Sequence, residues 1–319
     1  MAKSEPEPKS ELLQVQGLGP GTLSKLEESG ISTLMGLAVA SPSELASLTG
    51  ISESSARKII KNARELVSID FEKATSISER QTSVSKLSTD CVVFDNMIGG
   101  GFEPKIINEI YGQYGTGKTN LCHLLVVKAL VTNKTSKALY IDTENCFRTD
   151  RIRDFAAAVG ANGDDLLERI FVARALNSEH QELLLDKVQE MVQSDSSYKI
   201  IIVDSLTSHY RSEFQGRGTL ANRQSKINLF MHKLLKIADI YNLYCFITNQ
   251  VMSDPGTFYG NPIKPIGGNI VGHMSNTRIS LRPGKESSIH AKLEDSPNLP
   301  NGECNYWLVK EGITDVKPK

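Results

Sequence analysis

Gly112-Gln113-Tyr114-Gly115-Thr116-Gly117-Lys118-Thr119 has the residue types and the spacing to hold a polyphosphate, a full match to G-x-x-x-x-G-K-[ST]. Glycines let successive backbone N–H groups converge on an anionic phosphate where a Cβ would intrude. Lys118 would reach the β- and γ-phosphates, and Thr119 would offer its hydroxyl to Mg²⁺. Acidic groups follow at the right places. Lys199-Ile200-Ile201-Ile202-Val203-Asp204 is an apolar run ending in a carboxylate, the Walker B form that holds Mg²⁺ through water. Ala138-Leu139-Tyr140-Ile141-Asp142 runs into Thr143-Glu144-Asn145, so Glu144 lies just past a strand and is a candidate to polarise an attacking water. An acid at a helix N-terminus, favoured by the dipole, fits Asp142 or Glu144 taken alone about as well. A further strand at 243–248 ends in Asn249-Gln250, whose amide could sense a γ-phosphate.

These groups need strands to carry them. The apolar run at 106–111 leads into the phosphate loop as a buried strand, and Leu121, Leu124, Leu125 and Leu130 continue it as a helix whose N-terminus faces the phosphates. From Ser85 onward, strands at 138–142, 170–174, 199–204 and 243–248 alternate with helical patterns such as 178–193. This predicts an α/β core with a mostly parallel central sheet.

The chain of 319 residues is long enough for one large core and a small extra domain. Its formal charge of −1 requires any nucleic-acid contact to come from local Lys and Arg clusters. Cys91, Cys122, Cys146, Cys245 and Cys304 form no C-x-x-C pair, as expected of core thiols in a reducing compartment. No run approaches a membrane span, and the first residues lack a signal peptide's apolar region. The expectation is an intracellular, cytoplasmic protein without membrane partners.

Residues 1–10 read as a flexible polar tail. Residues 11–67 hold Gly17-Leu18-Gly19-Pro20-Gly21 between two short helical patterns, echoed at Gly50, 33 residues later. Each unit resembles a helix-hairpin-helix, whose turn aims backbone N–H groups at a DNA phosphate without reading bases. Gly17, Gly19 and Gly21 would make that contact, helped by Thr22 and Lys25; the turns could equally serve only to join helices in a small bundle. Residues 68–84 read as a linker, with Phe71 and Ala74 standing out in a polar stretch. Phe71 could dock within its own chain or plug into a neighbouring subunit and build open filaments. Two glycine-bearing loops lie further on. Arg211 to Gly218, with Arg223 beyond it, and the Gly- and Pro-rich stretch 252–262 together offer guanidinium groups and aromatics to a single strand.

Together these pieces resemble the archaeal RadA recombinases of the RecA-like strand-exchange family, from about residue 11 to the end. The resemblance rests on the duplicated hairpin, Phe71-x-x-Ala74, Gly112 to Thr119, Asp142-Thr143-Glu144, Ile202-Val203-Asp204-Ser205, Arg217-Gly218, Thr248-Asn249-Gln250 and Pro265-Ile266-Gly267-Gly268. It implies a RecA-like P-loop ATPase core at 85–319 behind a small all-α domain. The implied activity is ATP hydrolysis with Mg²⁺ in a filament that pairs single-stranded DNA with a homologous duplex, nucleoid-associated in an archaeal cell, with mediators or paralogues as further partners. Position by position it makes Glu144 the group activating water, with Lys118 beside it, Gln250 the γ-phosphate sensor and Arg151 the group stacking on adenine. It gives Arg211, Arg217 and Arg223 to the first DNA loop, residues 251–266 to the second, and Phe71 with Ala74 to subunit docking.

In one place the chain departs from its look-alikes. They usually carry Asp-Pro where this sequence has Asn261-Pro262, and that aspartate caps the neighbouring subunit's ATP and can hold a monovalent cation. An amide keeps an oxygen ligand but removes its charge, so weak cation dependence is expected. Two rival readings share the core: a RecA-like hexameric helicase, which has no need of the tether or the duplicated hairpin, and a regulatory paralogue that binds DNA without exchanging strands.

Overall fold

The computed structural model describes residues 11–29, 31, 33–67, 72–253 and 263–318, and the chain divides into two compact units between Ser83 and Val84. The first unit is all helical: α1 (Pro20–Glu28), α2 (Leu34–Val39), α3 (Pro42–Thr49), α4 (Glu53–Leu66) and α5 (Ala74–Thr82). In α4 the residues Ala56, Ile59, Ile60 and Ala63 recur at helical spacing and turn one face onto Leu26, Leu37 and Leu45. Ser52 caps that helix by accepting the N–H of Ser55. Gly17 and Gly50 both have positive φ, +91° and +75°, so the two turns repeat one backbone device. α5 falls in the stretch expected to be a linker; no residue in it is buried, as its polar sequence demands.

The second unit runs α6 (Val92–Met97), β1 (Ile107–Gly112), α7 (Lys118–Val131), β2 (Lys137–Asp142), α8 (Thr149–Ala158), α9 (Gly163–Leu167), β3 (Ile170–Arg174), α10 (Ser178–Ser194), β4 (Tyr198–Asp204), α11 (Ser208–Glu213), α12 (Leu220–Ile240), β5 (Tyr244–Asn249), β6 (Val251–Ser253), β7 (Ile263–Pro265), α13 (Gly268–Met274), β8 (Thr277–Pro283), β9 (Ile289–Asp295), β10 (Gly302–Val309) and β11 (Gly312–Thr314). A nine-stranded sheet has the order β11-β10-β9-β8-β1-β5-β4-β2-β3. Strands from β8 to β3 pair in parallel, whereas β9, β10 and β11 add on antiparallel.

The apolar runs of β1, β2, β4 and β5 are continuous because both faces of these central strands are covered. Ile200 and Ile202 of β4 pack toward α7 and α8, while Ile201 and Val203 pack toward α10 and α12. β2 alternates likewise, Ala138 and Tyr140 to one side, Leu139 and Ile141 to the other. The carboxyl ends of β1, β2, β4 and β5 therefore come to one edge, where Gly112, Asp142, Asp204 and Asn249 end their strands.

Candidate active site

At that edge lies a cleft of about 630 Å³, bordered by the phosphate loop, Glu144, Asp204, Arg211 and Gln250. β1 must end in glycine: a Cβ on Gly112 would stand 2.2 Å from the Leu281 carbonyl oxygen of the neighbouring strand. Gly115, at φ +78° with nothing within 4 Å of where its Cβ would be, leaves the loop's concave side open to a phosphate. Lys118 opens α7, and its Nζ donates to the carbonyl oxygens of Gly112 at 3.0 Å and Gln113 at 2.9 Å. Burial lowers the pKa of this ammonium, and Asp204 and Glu144 push it partly back. Gln113, Tyr114, Gly117 and Thr119 line the same cleft, Tyr114 fully exposed at its lip, while Thr116 is buried and its hydroxyl donates to the Gln113 carbonyl at 2.8 Å.

Asp204 is buried, which raises its pKa; hydroxyls of Thr248, Tyr140 and Thr119 oppose that by donating to the charged carboxylate. The Tyr140 bond is 2.7 Å. Thr119 and Asp204 thus present hard oxygen ligands side by side, and with the open loop they fit a Mg²⁺-bound nucleotide.

Asp142 and Glu144, equivalent in sequence, take different parts. Asp142 turns inward and accepts the backbone N–H groups of Glu144 and Cys146 on one oxygen and of Phe147 on the other, at 3.0, 3.1 and 3.0 Å. It folds the loop; Glu144 faces the cleft. Glu144 Oε1 accepts the Ser205 hydroxyl at 2.7 Å and the Gln250 amide at 2.6 Å. Thr143 and Ser205 hold each other reciprocally, the Ser205 N–H donating to the Thr143 hydroxyl at 2.8 Å and that hydroxyl to the Ser205 carbonyl at 3.0 Å.

Arg151 does not border the cleft. Its guanidinium donates to Asn120 at 2.8 Å and to the carbonyls of Val309 and Lys310, and it lies 4.2 Å over the Phe155 ring. Arg148 is the basic residue of this segment that borders the cleft. Arg211 lies on α11, exposed, and Arg217 opens a short 3-10 turn before α12. Arg223 is on the first turns of α12, its Nε buried without a hydrogen-bond partner. In the first unit, Gly19 and Gly21 have open space where a Cβ would be, and the Lys25 ammonium donates to the Thr49 carbonyl. Ala74 begins α5. Phe71, Asn261 and the second loop between 254 and 262 lie outside the described residues; the loop's ends pair as β6 and β7.

Sequence reasoning gave no role to Ser205 or Tyr140 and missed a buried cluster beneath the site. Glu109 of β1 is fully buried and accepts from Arg278 at 2.7 Å and from Asn249 at 2.8 Å. Asn249 also donates to the Ile266 carbonyl and accepts the Thr207 hydroxyl. The available signal was an acid inside an apolar strand, Asn108-Glu109, which demands a buried partner.

A phosphate loop, a metal carboxylate and a strand-end glutamate on one parallel sheet define a P-loop ATPase core of the RecA-like class, with a helix-hairpin-helix domain ahead of it. Residues 79–316 match the Rad51 family, and residues 9–65 match the SAM-like helix-hairpin-helix tandem. The chain belongs to the Rad51 family. It is similar to the "DNA repair and recombination protein RadA" of Metallosphaera sedula, 39% identical over 307 residues that cover 95% of each chain.

Proposed function

We propose that this protein is a DNA-dependent ATPase that assembles on single-stranded DNA and carries out homologous pairing and strand exchange in recombinational repair. The observation that carries the chemistry is Glu144, held by Ser205 and Gln250 in the same cleft as Lys118 and Asp204. Backbone N–H groups of 112–119 would cradle the phosphates, and Lys118 would exchange its two carbonyl partners for β- and γ-phosphate oxygens. Thr119 and Asp204 would hold Mg²⁺, which neutralises charge on those oxygens when bound. Glu144 takes a proton from the water whose oxygen bonds to the γ-phosphorus, as the bond to the ADP oxygen breaks. Gln250 senses the γ-phosphate. Arg151, which donates to Asn120 at the border of the cleft, would reach the base by exchanging its carbonyl partners for it.

DNA would run over Arg211, Arg217, Arg223 and the second loop, with Gly17, Gly19 and Gly21 touching the backbone of the duplex or the strand. Pairing between bases supplies sequence specificity. Self-assembly would use Phe71 and Ala74 of a neighbour. Supporting this, β3 ends the sheet, and beside it an apolar groove of about 170 Å³ is bordered by Phe171, Ala173, Leu184, Val188 and Met191. The protein would work in the cytoplasm on the nucleoid; recombination mediators or paralogues would meet it there. Among the described residues no helix is long and apolar enough to cross a membrane.

The test is Lys118→Ala, assayed for ATP turnover and for exchange between a labelled single strand and its homologous duplex. Both should be lost; normal exchange by the variant overturns the assignment. Negative-stain images with ATP and single-stranded DNA should show helical filaments, and closed rings would favour a helicase instead.

A further inference from the structure

The first DNA loop and the γ-phosphate sensor are joined directly. Arg211 Nη1 donates to Gln250 Oε1 at 3.4 Å, and Gln250 Nε2 donates onward to Glu144 Oε1 at 2.6 Å. A second tie lies one residue and one turn back: the Thr207 hydroxyl donates to Asn249 Oδ1 at 2.7 Å, and the Arg211 N–H donates to the Thr207 carbonyl at 3.0 Å. So Thr207, which caps α11, and Arg211 within it hold Asn249 at the end of β5 and Gln250 just past it. Arg211 is exposed and borders the nucleotide cleft, which leaves its guanidinium open to a stronger acceptor.

We infer that Arg211 is a positioning residue, holding the Gln250 amide on Glu144 until a DNA phosphate takes its guanidinium. This rests on the function proposed above. A phosphate oxygen carries charge and outcompetes a neutral amide oxygen for a guanidinium, the more so because the present bond is long. With Arg211 withdrawn, the Gln250 side chain loses its outer anchor and can turn toward a γ-phosphate. Glu144 Oε1 then keeps one donor, Ser205, in place of two, and the freed acceptor position is open to the attacking water. The DNA strand thereby switches hydrolysis on through the first loop, in addition to any signal through the second.

The experiment compares wild type, Arg211→Ala and Arg211→Lys as full chains, measuring ATP turnover without DNA, turnover at saturating single-stranded DNA, and the DNA concentration for half-stimulation. For R211A the DNA-free rate should rise about fivefold, the factor one modest hydrogen bond carries. Its stimulation ratio should shrink to match. R211K keeps the charge that attracts DNA but loses the planar fork. It should retain a near-normal half-stimulating concentration with a DNA-free rate between the other two. An unchanged DNA-free rate in both variants, with only the half-stimulating concentration moved, would reduce Arg211 to a phosphate contact and overturn the inference. So would a parallel fall of both rates, the mark of a merely structural residue. Lys118→Ala run alongside separates the two levels: turnover indifferent to Lys118 refutes the ATPase assignment itself, whatever Arg211 does.

Discussion

The Tyr140 hydroxyl donates to Asp204 Oδ2 over 2.7 Å, linking an aromatic in the middle of β2 to the carboxylate that ends β4. Burial raises the Asp204 pKa, and this bond is one of three that hold the charged form. Tyr140→Phe keeps the ring and removes that support, so the pKa climbs further and protons compete better with Mg²⁺. The half-saturating Mg²⁺ concentration for ATP turnover should rise as pH is lowered and recover toward wild type at higher pH. The metal-free fold behaves oppositely to one held by a salt bridge. Because the folded pKa lies above the unfolded value, stability falls as pH rises through that window, and Y140F should steepen the fall. Loss of the bond itself should cost about 1–2 kcal/mol in denaturant melts. Mg²⁺ titrations unchanged at every pH would refute the link.

His123 gives the second pH signature. Its ring is buried in α7, stacked on Tyr140 with centroids 5.7 Å apart, and Nε2 accepts the Arg148 N–H at 3.3 Å. Burial above all, then the nearby Arg151 and Arg148, pushes its pKa down to about 4, against Asp142. Between that value and the ordinary 6.5 the unfolded chain binds a proton that the folded one does not. Stability is therefore complete above about pH 6.5 and declines as pH falls toward 4, by about 3 kcal/mol in all. His123→Phe, which keeps the stacking, should flatten this slope in thermal melts between pH 7 and 4. An identical slope in the variant would assign the acid sensitivity elsewhere.

What was legible in the sequence follows from periodicity and spacing. The parallel core strands could be read because burial on both faces makes their apolar runs continuous, and the phosphate loop and Asp204 because their chemistry fixes residue types at fixed offsets. The choice between Asp142 and Glu144 was not legible. Both are acids past the same strand, and what separates them is that Asp142 accepts three backbone N–H groups of its own loop. The contacts of Ser205 and Asn249, both named within motifs, were not legible for a related reason. Their partners lie 61 and 140 residues away, on Glu144 and Glu109, and only the sheet order brings them together. The partners of Arg151 were likewise not legible, since its guanidinium donates to carbonyls of the β10–β11 turn 158 and 159 residues away, at Val309 and Lys310.

Asn261 offers a test that rests on charge alone. An aspartate there would give a monovalent cation a charged oxygen ligand, and the amide gives a neutral one. ATP turnover of the wild-type protein should therefore differ little between potassium and sodium buffers of equal ionic strength. Asn261→Asp should acquire activation by K⁺, several-fold between low and physiological concentrations. Strong K⁺ activation of the wild type, lost in sodium, would contradict the argument.

The groove at β3 makes the assembly proposal measurable. Ala173 borders it with Phe171 and Met191, on the strand that ends the sheet. Ala173→Asp places a carboxylate where a neighbour's phenyl ring would seat, and covering an unpartnered charge costs several kcal/mol. Assembly should weaken by at least about a hundredfold in concentration. The half-buried site lets the carboxylate reach water in the lone subunit, so melting should move little. Light scattering with ATP and DNA reads the first quantity and calorimetry the second. Filaments forming at wild-type concentrations from a charged groove would place the docking surface elsewhere. Subunits that melt early would instead mark Ala173 as part of the core.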